Sequence, residues 1–377
     1  MSRKVKVMTL IWKINTGGAE RMVVSFHNAF ANDPEIDMHT FVFTPRGESI
    51  FESEINNKSE SVHYIPAFWG DKIPFVSKVI RYLFYKRFRK QWFLKQVEEY
   101  KPDVIHIHLA YLAAELTDAC KRIPNNIKIL YHMHSMPEAI DESFRKKIRS
   151  AIEKKLYSPI CVTELQRSSA VKLYNISEDT QIVRNGIDTS RFVNCDVAEK
   201  EIRKLKSELG IGLDEIVMGC VGRGAPIKNY PLLASAAGIL SQSLPVCFLV
   251  VGEVPEILKS DITQKSQGAK VIFAGQRADT ERMYRLMDVF CISSYYESSS
   301  MVTVEAQLSG IPCVISDRIS DEVIISTGVI KVSPEAEAQK WAEAIKDSIR
   351  KEVTIINKER FAFDNSIKAL KEIYLSR

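Results

Sequence analysis

The chain has 377 residues, 45% of them hydrophobic and 26% charged, and a formal net charge of +5. That length is too great for one ordinary hydrophobic core and predicts two domains, while so mild a basic excess does not by itself specify a nucleic-acid partner. The seven cysteines, at 120, 161, 195, 220, 247, 291 and 313, are scattered and never arranged as C-x-x-C; they read as reduced core thiols of a cytoplasmic protein, not as a disulfide frame or zinc site. The first apolar run, 5–12, is broken by Lys6 and too short for a signal sequence. No apolar stretch reaches the ~18 residues of a spanning helix, so the chain is expected to be soluble or at most peripheral.

Short β-branched runs predict strands near 4–11, 38–43, 61–65, 103–108, 127–132, 159–163 and 181–184, then near 215–221, 246–251, 270–274, 288–292, 312–315 and 328–331. Helical patterns fill the gaps, for instance at 19–31, 109–121, 145–156, 230–241 and 334–350. Alternation of this kind means α/β architecture, parallel sheets with helices on both faces. The polar stretch 185–204 separates the two series and reads as a hinge. The expected fold is two doubly wound, Rossmann-like domains facing each other across a cleft, with ligands at the carboxyl ends of the strands.

In chain order, the first strand runs into "WKINTGGAER" at 12–21. Gly17 and Gly18 let backbone approach a ligand, and the helix that follows offers free N–H groups and a positive dipole end. An ordinary strand-to-helix turn would look the same, and the missing third glycine excludes a dinucleotide fingerprint. The segment 72–95 carries eight Lys and Arg and no acidic residue, with Val76, Ile80, Leu83, Phe84, Phe88 and Trp92 forming a helical apolar stripe. It suits an anionic membrane surface; a core-facing helix with a solvated basic face is the rival, and no nucleic-acid motif accompanies it.

All seven histidines precede residue 135, and His106/His108 and His132/His134 are spaced i, i+2 at strand ends. Such spacing puts both rings of a pair on one sheet face. A metal site, hydrogen-bonded packing and a role at the ligand all fit. The lack of a carboxylate or thiolate cluster weighs against the first, and no metal is expected.

The second series opens with "VGRGAPIKNYPLL" at 221–233, where Arg223 and Lys228 sit on a Gly/Pro loop after a strand. Two cations there suit a diphosphate, but the spacing is not that of a Walker loop. Last comes "YYESSSMVTVEAQLSGIPCVIS" at 295–316. Ser299 or Ser300 is expected to cap the helix that follows, leaving backbone donors near Met301 and Val302 for phosphate oxygens. Glu297 and Glu305 then flank the phosphate and can accept from hydroxyls on either side of it. A ligand with hydroxyl-bearing sugars on both sides of a diphosphate is a nucleotide sugar.

Together these motifs resemble a retaining glycosyltransferase of family 4 with the GT-B type fold, as found in bacterial polysaccharide biosynthesis. The matching residues are Gly17-Gly18-Ala19-Glu20-Arg21, Asn185-Gly186-Ile187-Asp188 with Phe192, Gly222-Arg223 with Lys228-Asn229, Gly275, and Glu297 with Glu305, followed by the rest of 305–316 and the terminal "FDNSIKALKEIY". The ordered set spans nearly the whole chain. The resemblance implies an N-terminal, acceptor-side domain over 1–186, joined by the C-terminal helix 361–377, and a donor-binding domain over 195–355. It implies that Arg223 and Lys228 bind the donor diphosphate together with Ser300, Met301 and Val302, that Glu305 binds the ribose, and that Glu297 contacts the hexose. Gly275, Gln276 and Arg277 would lie near the base, and Gly17 and Gly18 near the distal phosphate across the cleft. His134, preferred to His132, would stand close to the donor sugar and acceptor, so the catalytic set would be Glu297, Arg223, Lys228 and His134.

The implied reaction needs no metal and no cofactor beyond the donor, UDP-linked in preference to GDP-linked. It passes a hexose or N-acetylhexosamine to a hydroxyl of a sugar or lipid-linked glycan, in the cytoplasm or, if the basic segment 72–95 binds a membrane, at its inner face. Ser298 stands where the family usually has Gly, and Ser299 and Ser300 also depart from it, which bears on the donor sugar. A nucleotide-sugar epimerase, which needs no acceptor, and a non-catalytic binding relative are the rival functions.

Overall fold

The computed structural model describes residues 3–15, 17–56, 60–67, 78–193, 195, 198–349 and 351–376, with 78–82 described through the backbone alone. Positions 72–77 of the basic segment, Val76 among them, lie outside the described residues, as do the side chains of Ile80 and Arg81. The chain forms two compact units, one built from Met1–Arg184 with Ser366–Arg377 and the other from Asn185–Asn365.

The first unit holds six parallel strands: β1 (Val5–Ile11), β2 (Ile36–Val42), β3 (Val62–Tyr64), β4 (Val104–His108), β5 (Lys128–His132) and β6 (Ser158–Ile160). Their order is β3-β2-β1-β4-β5-β6. The second unit repeats the winding with β7 (Ile216–Val221), β8 (Val246–Val251), β9 (Lys270–Gly275), β10 (Val289–Ile292), β11 (Cys313–Ser316) and β12 (Val329–Val332), in the order β12-β11-β10-β7-β8-β9. Helices cover both faces, so central strands read as continuous apolar runs, not alternating ones. Every residue of β4 and of β8 is buried. In each sheet the winding reverses beside the unit's first strand, at β1/β4 and at β7/β10, which opens a crevice at the carboxyl ends there.

The strand expected at 181–184 is a single parallel bridge, Cys161 to Ile182. The helix expected at 145–156 is Glu142–Glu153; it starts earlier because Asp141 caps it, its carboxylate accepting from Ser143 N at 2.8 Å. The stretch beginning at Asn185 belongs to the second unit. Ile187 N donates to Phe361 O at 2.8 Å, and Phe192 packs edge-on against Tyr284 in that unit's core. The Phe363–Leu375 helix returns the chain to the first unit, where Ser366 Oγ donates to Arg184 O, Lys371 pairs with Asp33, and Tyr374 meets His106.

The Lys78–Tyr100 helix departs from the expected stripe. Arg89, Phe93 and Val97, four residues apart, are its buried line, while Leu83 and Phe84 are 58% and 57% exposed. Arg89 is therefore not a surface cation. Its guanidinium makes two hydrogen bonds to Glu115, at 2.6 and 2.9 Å, and lies over the rings of Trp12 and Tyr85. A buried Arg needs such pairing, which sequence periodicity does not reveal. All seven cysteines are free. No helix among the described residues is long and apolar enough to cross a membrane.

Candidate functional site

In the second unit the loops leaving β7 and β10 arrive at the same switch point. After β7, Gly222 at φ 142° starts the loop. The short turn Pro226–Lys228 then leads to Asn229, whose left-handed backbone at φ 51° opens the Tyr230–Ser241 helix. The β10 loop is stitched onto this turn. Ser293 Oγ lies 3.0 Å from Lys228 O and 2.9 Å from Asn229 O, and Tyr295 N donates to Ile227 O at 2.9 Å. The stitching sets the Lys228 ammonium against Glu297 Oε1, which also accepts from Ser294 Oγ at 3.0 Å. Both charged side chains are largely shielded, 19% and 14% exposed. Arg223, on the same loop, is exposed and has no ion pair among the described residues.

The helix that follows is Met301–Leu308, with Ser300 at its N-cap position. The expected serine cap is not made there. The Ser300 hydroxyl is buried and turned to Thr303 Oγ1 at 2.9 Å, because a polar group in that pocket needs a near partner. The first-turn N–H groups of a helix, here those of Met301 and Val302, have no intrahelical acceptor and suit an anion. One turn on, Glu305 Oε2 accepts from the Tyr284 hydroxyl at 2.7 Å. Burial first, and then the Glu305 charge, push the Tyr284 phenol well above its ordinary range, so it stays a donor and fixes the carboxylate. Sequence spacing missed Tyr284 and Ser293, since each acts through a contact made only in the folded sheet; Ser294, three residues from Glu297, was missed as well.

Three adjacent strands, β7, β8 and β9, end in glycines with positive φ: Gly222, Gly252 at 131° and Gly275 at 67°. They let the strand ends close on each other: a Cβ on Gly252 would stand 2.2 Å from Gly222 O. Beside them opens a pocket of about 420 Å³ lined by Glu253, Lys259, Phe273, Gly275 and Gln276 among others. Gln276 Nε2 donates to Glu253 Oε2 at 3.1 Å, while Arg277 turns to Asp279 with bonds of 2.8 and 2.7 Å. Gly275 and Gln276 therefore line this pocket, and Arg277 is engaged elsewhere.

In the first unit, Gly17 stands at the N-cap position of the Gly18–Phe30 helix, and a Cβ on Gly18 would meet nothing within 4 Å. Beside this loop, β4 ends at His108 and is followed by Leu109 at φ 76°, a strained conformation for a leucine. His108 and His132 lie opposite each other in register, and His134 follows β5. His108 Nδ1 and His134 Nε2 are 2.7 Å apart, and His106 Nδ1 is 2.6 Å from the Tyr374 hydroxyl. Desolvation lowers His134 to about 4 and His106 to about 3, so both are neutral at neutral pH. His132 is fully buried, whereas His134 is half-buried.

Two family models cover both units: Glycosyltransferase Family 4 matches residues 16–191, and Glycosyl transferases group 1 matches 215–351.

The chain belongs to the family 4 glycosyltransferases.

This glycosyltransferase is 24% identical to EpsF of Bacillus subtilis (strain 168), itself named as a glycosyltransferase, over 91% of this chain and 88% of that one. It is 25% identical to the alpha-monoglucosyldiacylglycerol synthase of Acholeplasma laidlawii, over 62% of each. Among solved structures, Anabaena HepE in complex with UDP and glucose superposes with a TM-score of 0.71 at 19% identity, covering 98% of this chain and 94% of that one. The fold of the glycosyltransferase is thus of the GT-B type, with two Rossmann-like units.

Proposed function

We propose that this glycosyltransferase moves a hexose or N-acetylhexosamine from a nucleotide sugar, UDP-linked, to a hydroxyl acceptor, with retention at the anomeric carbon and no metal ion in the transfer step. The observation that carries the reading is the Lys228–Glu297 pair, held at the strand ends of one unit beside a helix N-terminus and Glu305. In the free protein Glu297 neutralises Lys228. An incoming diphosphate replaces the carboxylate on that ammonium, and Glu297 is released toward the hydroxyls of the donor sugar. The acceptor oxygen bonds to the anomeric carbon as the bond from that carbon to phosphate breaks, on the same face, and the acceptor proton passes to a phosphate oxygen. Charge growing on the departing phosphate is stabilised by Lys228, Arg223 and the Met301 helix end, donors already in place. Neutral His134, its Nε2 turned to His108, presents Nδ1–H to the acceptor. HepE, solved with UDP and glucose, supports a UDP-sugar donor.

The test is release of the nucleoside diphosphate, UDP or GDP, from a panel of UDP- and GDP-sugars, with and without lipid-linked and soluble sugar acceptors, in buffer containing EDTA. Acceptor-dependent UDP release is expected. Conversion of the donor with no acceptor present would make the protein an epimerase instead, and no turnover with any donor would leave a binding relative.

A second reading concerns the acceptor, argued from Leu83 and Phe84 exposed beside Lys86 and Arg87 on the Lys78–Tyr100 helix. We propose that this end of the helix rests on the anionic cytoplasmic face of a membrane, each well-placed cation contributing about 1 kcal/mol, and that the acceptor is a lipid-linked glycan of envelope or capsule assembly. Replacing Lys86 and Arg87 by Gln is expected to reduce co-sedimentation with anionic vesicles and to slow transfer to a lipid-linked acceptor more than to a soluble analogue. A wild-type protein that ignores such vesicles at low salt refutes it.

A further inference from the structure

Four histidines of the first unit gather on one face of β4 and β5, and the proposed transfer engages His134 alone. Residues two apart on a strand share a face, so His106 and His108 stand beside His132 and His134. His106, His108 and His132 are fully buried. One of their nitrogens, His108 Nε2, has no hydrogen-bond partner among the described residues, while His132 has the Val183 backbone beside it. Buried polar atoms are rarely left so, and an ion is one of the standard explanations.

One set of tautomers that the hydrogen bonds permit is compatible with an ion here. With the Tyr374 oxygen accepting a hydrogen bond from His106 Nδ1–H at 2.6 Å, His106 Nε2 carries a bare lone pair. With His134 Nε2 accepting from His108 Nδ1–H at 2.7 Å, His108 Nε2 does the same. The remaining contact, His106 Nε2 to His132 Nδ1, is the longest at 3.2 Å and is the one an ion would replace. One nitrogen from each of His106, His108 and His132 already lies within 4.8 Å of the others.

We propose that His106, His108 and His132 hold one divalent transition-metal ion of the zinc class through imidazole nitrogens, with Tyr374 and His134 as the outer hydrogen-bond partners that orient them. A donor set of neutral nitrogens selects such an ion over magnesium or calcium, which take oxygen ligands. Partners on the second ring nitrogen are the usual means of fixing a ligating histidine. Three nitrogens leave a fourth position, where an oxygen ligand can carry compensating charge. The ion's role is structural: it ties β4 to β5 and, through Tyr374, to the C-terminal helix. It takes no part in the transfer step.

The experiment uses the full chain, stripped with a chelator, reloaded with Co²⁺ and passed through a desalting column. Bound cobalt is measured by elemental analysis and by the visible bands of a low-coordinate Co²⁺ site. About one ion per chain is expected, falling roughly tenfold or more in His108→Asn and in His132→Gln. His39→Gln, at the separate His39/His63 pair on β2 and β3, serves as control and is expected to keep the ion. Circular dichroism checks that each variant is folded. Wild-type protein that retains no cobalt overturns the proposal whatever the variants do, and so does equal loss in His39→Gln. Metal content is read without turnover, so failure here leaves the transferase reading untouched.

Discussion

Lys228 and Arg223 share a loop but stand in different states, one paired with Glu297 and the other exposed. Removing either takes a charge-assisted donor from a leaving group that ionises as it departs, which costs about 3 kcal/mol, roughly a hundredfold in turnover. Arg223→Ala is expected to leave the melting temperature unchanged, since the residue is exposed. Steady-state rates and thermal melts check both variants; near-normal turnover in both would remove the diphosphate assignment. The residue scale is also where sequence legibility was sharpest and then stopped. The spacing of Glu297 and Glu305 on a loop and the helix after it is local, so it shows in the sequence. Tyr284, which orients Glu305, and Ser293, which ties the two loops, act across strand ends and leave no local pattern.

Elements were legible where the apolar run was unbroken and both faces were buried, as in β8, and less so where a single contact decides the outcome. The run at 181–184 has the β-branched character of a strand but finds only one bridge. The Lys78–Tyr100 helix was legible as a helix while its buried line was not, because an arginine, Arg89, sits in it. The strand-end glycines supply the test at this scale. Gly252→Ala places a methyl against Gly222 O in a conformation that L-residues avoid, so a loss of about 1–3 kcal/mol is expected. Equilibrium denaturation measures it, and nucleotide affinity should fall along with it because Gly222 begins the Lys228 loop. Stability equal to wild type would mean the close approach is relaxed in solution.

At the scale of the molecule the chain is two repeats of one winding, and the alternation of strand and helix in the sequence foretells this. The crossing points are less visible, because residues 185–193 look like a linker yet pair with Phe361 and bury Phe192. The first unit is discontinuous: it is completed by residues 366–377, which bring in buried Leu370, Ile373 and Tyr374. Each such side chain contributes about 1.5–3 kcal/mol, so together they approach the whole stability of a domain, about 5–15 kcal/mol. Deleting 366–377 is therefore expected to abolish the first unit's unfolding transition in calorimetry while the second unit's persists. Two transitions surviving the deletion would contradict the division.

The central claim is that the second unit holds a nucleotide diphosphate with Glu305 on the ribose side and Glu297 on the sugar side. Calorimetric titration of UDP in EDTA-containing buffer, on wild type, Glu305→Ala and Glu297→Ala, tests it most directly. Glu305→Ala is expected to weaken UDP about tenfold or more, losing a charged hydrogen bond of roughly 1.5–3 kcal/mol. Glu297→Ala is expected to bind UDP as tightly as wild type or tighter, because Lys228 no longer has to leave its carboxylate. Absence of UDP binding to wild type, or equal weakening in both variants, would contradict the account.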